Sequence, residues 1–219
     1  GGRTIMTTEP KFIPNEAVEI SLANNLKFKT RLVDCVGYLV DNAIGYLEDD
    51  MPRMVKTPWS EEEIPFEKAA EIGTKKVIEE HSTIGILVTT DGSVTGIPRE
   101  DYIKPEERVV AELKSLNKPF VILLNSTDPN SDYTKELSKT LAEKYDTTVI
   151  PINCEYLDIN DINNIFSKIL YEFPADQIRI KFPRWVDGLD FSHPLKAELF
   201  KEIKEAFENV NVLKDISSC

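Results

Sequence analysis

No stretch of the 219 residues approaches the roughly 18 uninterrupted apolar residues that a membrane-spanning helix requires, and the polar, Thr-rich start does not read as a secretory signal. The expectation is a cytoplasmic protein. Cysteine is scarce. Cys35, Cys154 and Cys219 are odd in number, show no C-x-x-C spacing and have no matching histidine pairs, so neither a disulfide framework nor a zinc site is encoded. Positive charge is in deficit, with 26 Lys and Arg against 38 Asp and Glu. A net charge of −12 with no basic stripe repels a phosphate backbone at long range, and nucleic acid is not an expected partner. The two histidines, His81 and His193, have no evident metal or nucleophile partner and read as structural or solvated. Also absent is any G-x-x-x-x-G-K-[ST] string, the loop whose backbone amides and lysine hold nucleotide phosphates.

What is present is a globular composition, 41% hydrophobic and 29% charged, sufficient for one good-sized core and the beginning of a second domain. Val18, Ile20 and Leu22 alternate with polar residues, Ala23-Asn24-Asn25 supplies a turn, and Phe28, Thr30 and Leu32 alternate again, which predicts a hairpin ending at Val33-Asp34. A stretch through Pro52, Pro58 and Pro65 is too rich in Pro, Asp and Glu to be one helix. Phe66, Ala69, Ala70, Gly73 and Val77 then recur at helical spacing ahead of the apolar run 84–88, which ends in a turn at Asp91-Gly92. The pattern repeats. A helix opened by Pro105 carries Val109, Val110, Leu113 and Leu116, and 120–124 is a second apolar strand. Leu137, Leu141 and Tyr145 mark a helix before the strand 148–152. Ile162, Ile165, Phe166, Ile169 and Leu170 mark another, ending near Pro174. Strands apolar throughout and separated by amphipathic helices predict a mainly parallel sheet covered on both faces, with the hairpin adding one antiparallel edge strand. From about 175 the character changes, and Leu199, Ile203, Phe207 and Val210 outline one more helix in what reads as the start of a second α/β region.

In an open parallel sheet, ligands sit beyond the carboxyl ends of the strands, so four positions are candidates for chemistry. Asp34-Cys35-Val36-Gly37 follows a strand. Its aspartate suits Mg²⁺, and its glycine lets a backbone N–H approach a terminal phosphate, although a capped turn fits the same residues. Thr7-Thr8 precedes the hairpin, where a threonine hydroxyl in GTPase-like switches reaches Mg²⁺; two surface threonines are the plain alternative. Asn125-Ser126-Thr127-Asp128 stands where GTPases carry N-K-x-D, with Asn bracing loops and Asp receiving the base, and reads equally as an Asx turn before Pro129. Asn153 follows the last strand, where backbone usually touches the base. The order of these features favours a nucleotide-binding fold lacking its first strand and phosphate loop more than any single motif does, and Gly1-Gly2 is then expected to be a truncation point.

The strings Thr4–Phe12, Arg31–Tyr38, Ala70–Thr74, Glu80–Gly85, Thr90-Asp91-Gly92 and Tyr171–Pro174 resemble the ATPase domain of the stage IV sporulation protein A family. The resemblance implies a P-loop NTPase-like domain of the translation-factor class over 1–174, lacking its first strand and P-loop, and the start of a middle domain over 175–219. It implies ATP and Mg²⁺ as cofactors, with Asp34, Thr7 and Thr8 at the metal and the terminal phosphate. Asn125 and Asp128 would occupy the base-specificity position. It further implies an ATPase that self-assembles into a homopolymer, the basement layer of the spore coat, in the mother cell at the forespore surface. Its partners would be a small amphipathic membrane-anchor protein and other coat proteins, with membrane association only through the anchor. Without its phosphate loop the fragment alone is expected to be inactive. Two other readings stay open. One is a structural scaffold without turnover, using its acidic surface and the loop from Asp49 to Pro65 with Trp59 as contacts. The other is a GTP-binding switch.

Overall fold

The structure, a computed structural model, describes residues 11–22, 27–40, 43, 47–48, 51–57, 60–175 and 177–218. Thr7, Thr8 and Trp59 lie outside the described residues, as does the Ala23-Asn24-Asn25 turn. The chain forms two compact units, Gly1–Ser167 and Lys168–Cys219, dividing within one helix.

The first unit opens with the predicted hairpin. β1 (Lys11–Ser21) pairs antiparallel with β2 (Lys27–Asp34), Ile20 opposite Phe28 and Val18 opposite Thr30. β1 begins seven residues earlier than the alternation from Val18 suggests, because a bulge between Ile13 and Val18 carries it past Pro14, which has no N–H to give a ladder. The Pro-rich stretch is more regular than expected. β3 (Leu47–Glu48) pairs with β4 (Met51–Pro52), and β5 (Met54–Thr57) with β6 (Ser60–Pro65), Val55 opposite Ile64. Proline at the rim of a two-stranded ladder leaves no central hydrogen bond unmade, so the composition that forbids a helix does not forbid these strands.

α1 (Phe66–Lys76) follows directly and is extended by a wider turn over Val77–His81. Phe66, Ala69, Ala70, Gly73 and Val77 are all buried, as their spacing predicts. The central sheet is parallel, β7 (Gly85–Thr90) beside β8 (Phe120–Asn125) beside β9 (Val149–Ile152). Every residue from Phe120 to Leu124 is buried, which a strand covered on both faces requires. Phe120, Ile122 and Leu124 form one core cluster with Ile78, Val110, Leu113, Leu141 and Tyr145. Gly85 makes that packing possible, since a Cβ there would stand 2.9 Å from Leu113 Cδ2.

Three expectations are corrected. The hairpin is a sheet of its own: among the described residues neither β1 nor β2 pairs with the parallel sheet, so the antiparallel edge strand is not there. β7 is therefore an edge, and Val88, read as buried, is 56% exposed. The second helix, α2 (Arg99–Ser115), starts at Pro98 and not at Pro105. Glu100 and Asp101 supply first-turn acids, and Pro105 sits inside the helix, where the Arg99–Glu106 ion pair spans it. α3 (Asp132–Tyr145) has Ser131 as its cap, accepting the Thr134 N–H, and ends at Asp146 in the left-handed region.

α4 (Ile159–Tyr171) carries the unit division. Within the first unit, Ile165 is buried and Phe166 packs on Phe28, ring centroids 5.6 Å apart. The second unit holds α5 (Arg184–Asp187) and α6 (Pro194–Phe207). Its β pairing among the described residues is a single bridge, Pro174 with Val212. Lys214 binds both oxygens of the buried Glu172 at 3.1 and 3.0 Å. Phe182 packs on Phe200, and His193 caps α6 by accepting the Leu195 N–H at Nδ1. No helix among the described residues is long and apolar enough to cross a membrane.

Candidate functional site

The parallel register decides where chemistry gathers. Thr90 stands opposite Asn125, and Asn125 opposite Ile152, so the three strands finish level. The ladder then runs one step further, with Asp91 N–H donating to the Asn125 carbonyl at 3.3 Å and Ser126 N–H to the Ile152 carbonyl at 2.9 Å. Asp91, Ser126 and Asn153, distant in sequence, become neighbours at the carboxyl edge, where open α/β sheets bind ligands.

Three of the sequence candidates meet here. Asn125 Oδ1 accepts the Cys154 N–H at 2.9 Å, tying the β8 loop to the β9 loop. Asn153 uses its oxygen for the Glu155 N–H at 3.0 Å and directs its amide nitrogen to the Thr127 carbonyl at 3.5 Å. Asp128 is exposed, with Oδ1 taking the Asn130 N–H at 3.2 Å, which is the Asx-type turn of the plainer reading. Ser126, where the GTPase pattern has lysine, is only 1% exposed. Its hydroxyl accepts the Asp128 N–H at 3.0 Å, so it braces the loop from below and offers no stem for a base to stack on.

Beneath the loop lies a polar network that sequence reasoning missed. Asp91 is 9% exposed. Its Oδ1 accepts from the Ser93 hydroxyl at 2.6 Å and the Ser93 N–H at 2.9 Å, and its Oδ2 accepts from the Thr134 hydroxyl at 2.9 Å. Burial pushes the Asp91 carboxyl up, but the hydroxyls of Ser126 and Ser93, the Ser93 N–H and the Thr134 hydroxyl together outweigh burial and hold it below the ordinary aspartate value. The Thr127 N–H reaches the Ser93 hydroxyl at 3.0 Å. From the sequence Asp91 is a turn residue and part of a family string. The available signal was D-G-S after a strand apolar throughout, a carboxylate placed where the ladder runs out.

The candidates nearer the start lie on the β2 strand and the loop after it. Asp34 ends β2, exposed, and makes no ion pair among the described residues. Gly37 has φ +79°, which an L side chain rarely adopts, and among the described residues nothing lies within 4 Å of where its Cβ would be. The loop between them is fixed to helices. Burial is the largest influence on the Cys35 thiol and raises it, with the Gly37 N–H and Thr74 hydroxyl opposing and Asp34 adding. Tyr38 donates to Glu112 of α2 and lies under Arg108, whose guanidinium carbon is 4.2 Å from the ring centroid. No hydrogen bond or ion pair joins Asp34 or Gly37 to Asn125, Asp128 or Asn153 among the described residues. His81 packs edge-on against Phe12, and no group of three or more metal-binding side chains gathers among the described residues.

A parallel α/β unit with its loops tied together at the carboxyl ends of the strands defines a ligand-binding domain of the open-sheet class. The chain belongs to the stage IV sporulation protein A family: residues 1–174 match that family's ATPase domain and residues 175–219 its middle domain. It is 49% identical over 215 residues to stage IV sporulation protein A of Clostridioides difficile (strain 630), 48% to that of Bacillus anthracis and 46% to that of Bacillus subtilis (strain 168). Each alignment covers 98% of this chain and 44% of the relative, so the chain spans less than half the length of these curated relatives. No solved structure matches it. The resemblance read from the sequence is borne out, and the chain is a sporulation protein carrying an ATPase domain.

Proposed function

We propose that the chain is the larger part of a P-loop NTPase-like domain, over 1–174, and the start of the middle domain over 175–219, from a protein that hydrolyses ATP to self-assemble. Asp128 reads the base, with Asn125 and Asn153 bracing the loops around it. The observation that carries this reading is the Asn125 Oδ1 to Cys154 N–H bond, which makes a base-site asparagine do the bracing its place in N-x-x-D requires. Asp34 and the hydroxyls of Thr7 and Thr8 hold Mg²⁺, and the Gly37 N–H meets the terminal phosphate. The residues fit such a group: Asp34 presents an exposed carboxylate, and no described residue lies within 4 Å of where a Gly37 Cβ would be. Mg²⁺ would neutralise charge building on the transferred phosphoryl group, while the chain orients it and needs no side-chain base.

The full-length protein is then an ATPase that forms a homopolymer, the basement layer of the spore coat. It works in the mother cell at the forespore surface, held there by a small amphipathic membrane-anchor protein and joined by other coat proteins. Membership of a sporulation family with an ATPase domain supports this role. ATP and GTP turnover by the full-length protein, with Asp34→Ala as control, tests it. ATP hydrolysis lost in Asp34→Ala is the expected result. No turnover of either nucleotide leaves a scaffold, and preference for GTP leaves a switch, which the exposed Asp128 carboxylate would suit.

A further inference from the structure

We infer that Asp91 is the positioning residue of the base-reading loop: its two carboxylate oxygens hold Ser93 and Thr134, and through them place the backbone of Thr127 and Asp128 against a purine base. The inference rests on the nucleotide reading above and deepens it.

A carboxylate only accepts hydrogen bonds, so a buried one dictates the direction of every hydroxyl around it. Ser93 gives its hydrogen to Oδ1 at 2.6 Å, which leaves the Ser93 oxygen free to accept the Thr127 N–H at 3.0 Å. Thr134, 0% exposed, has one hydrogen and two acceptors in reach, Asp91 Oδ2 at 2.9 Å and the Asp128 carbonyl at 3.2 Å. The shorter, charged acceptor takes it. The Thr134 oxygen can then receive the hydrogen of Ser131 at 2.8 Å, while Ser126, its hydroxyl 3.2 Å from that of Thr134, turns its own hydrogen to the carboxylate. That leaves the Ser126 oxygen accepting the Asp128 N–H and the Ser131 oxygen accepting the Thr134 N–H, as both are found. Both branches end on the backbone of the loop that carries Asp128. No Lys or Arg pairs with Asp91 among the described residues, so its hydroxyl and amide donors are what hold it. An asparagine has the same outline but turns one acceptor into a donor, which breaks either the Ser93 branch or the Thr134 branch.

The test measures kcat and KM for ATP and GTP in the full-length protein, its Asp91→Asn and Ser93→Ala variants, and Asp128→Ala for comparison. The expected result for Asp91→Asn is a KM for ATP raised about tenfold with kcat within about twofold, the signature of lost binding and not of lost active fraction. The ratio of the two KM values should move toward that of Asp128→Ala. Ser93 is exposed at the surface of the network, so Ser93→Ala keeps the fold and should raise KM severalfold through the Thr127 branch alone. Should Asp91→Asn fail to give the wild-type circular dichroism spectrum, Ser93→Ala decides. Folded variants with wild-type KM values for both nucleotides overturn the inference and leave the nucleotide reading standing. Wild-type protein that turns over neither nucleotide removes both.

Discussion

Replacing Asn125 with alanine removes a side-chain oxygen that joins the β8 and β9 loops. The lost interaction is a neutral 2.9 Å bond to the Cys154 N–H, between two half-buried residues. A bond of this kind contributes about 0.5–1.5 kcal/mol net, and the orphaned N–H here can recover some hydration, so a loss of about 1 kcal/mol is expected. In a unit of this size that lowers the melting temperature by roughly 2–4 °C. Asn125→Asp keeps an oxygen facing the Cys154 N–H and should melt within about 1 °C of wild type, well inside the interval a lost bond would open. If base binding uses the tied loops, the same loss weakens ATP binding by the full-length protein roughly fivefold, about 1 kcal/mol converted. Scanning calorimetry of the three proteins and ATP titrations check both halves. An alanine variant that melts with wild type, or an aspartate variant that melts with the alanine one, refutes the reasoning.

Two further outcomes follow from the buried acid of α2. Glu106 has a 2% exposed side chain, with Arg99 Nη2 at 2.8 Å and the Tyr145 hydroxyl donating at 2.8 Å, while Oε2 has the ion-pair contact without a directed hydrogen bond. Glu106→Ala strands a guanidinium whose side chain is 10% exposed and should cost about 3–5 kcal/mol in chemical denaturation; a loss under about 1 kcal/mol would show that water reaches Arg99. Burial chiefly, then the Glu106 carboxylate, pushes the Tyr145 hydroxyl up to about 12, with Lys144 opposing. Because the folded value lies above the unfolded value of about 10, this group's stabilisation is complete below pH about 10 and disappears as pH climbs from there to 12. The denaturation midpoint of Tyr145→Phe, followed across that window, should fall less steeply than that of wild type, and parallel curves would refute the assignment.

Much of the architecture was legible because it is local. Apolar periodicity placed the hairpin, α1, β8, α3 and β9, and the strings from Thr4 to Pro174 marked the family. The place of Asn125 at the end of a buried strand was legible too, because it follows directly from the apolar run before it, whereas its bond to the Cys154 N–H is seen only when folded. Pro105 misled because an N1 preference outweighed the capping Pro98 and the first-turn acids Glu100 and Asp101 before it, and the Arg99–Glu106 pair that spans the interior proline is visible only when folded.

The linear chain by itself determined the parallel α/β character and the family, since both are written in short contiguous stretches of residues. Tertiary structure alone decided that the hairpin forms its own sheet and that Val88 faces solvent, because pairing partners are chosen across tens of residues. It also decided that Asp91, Ser126 and Thr134 share one hydrogen-bond network. A parallel register brings residues 91, 126 and 153 level, and only that register tells a turn aspartate from a buried anion that orients the loop beside it.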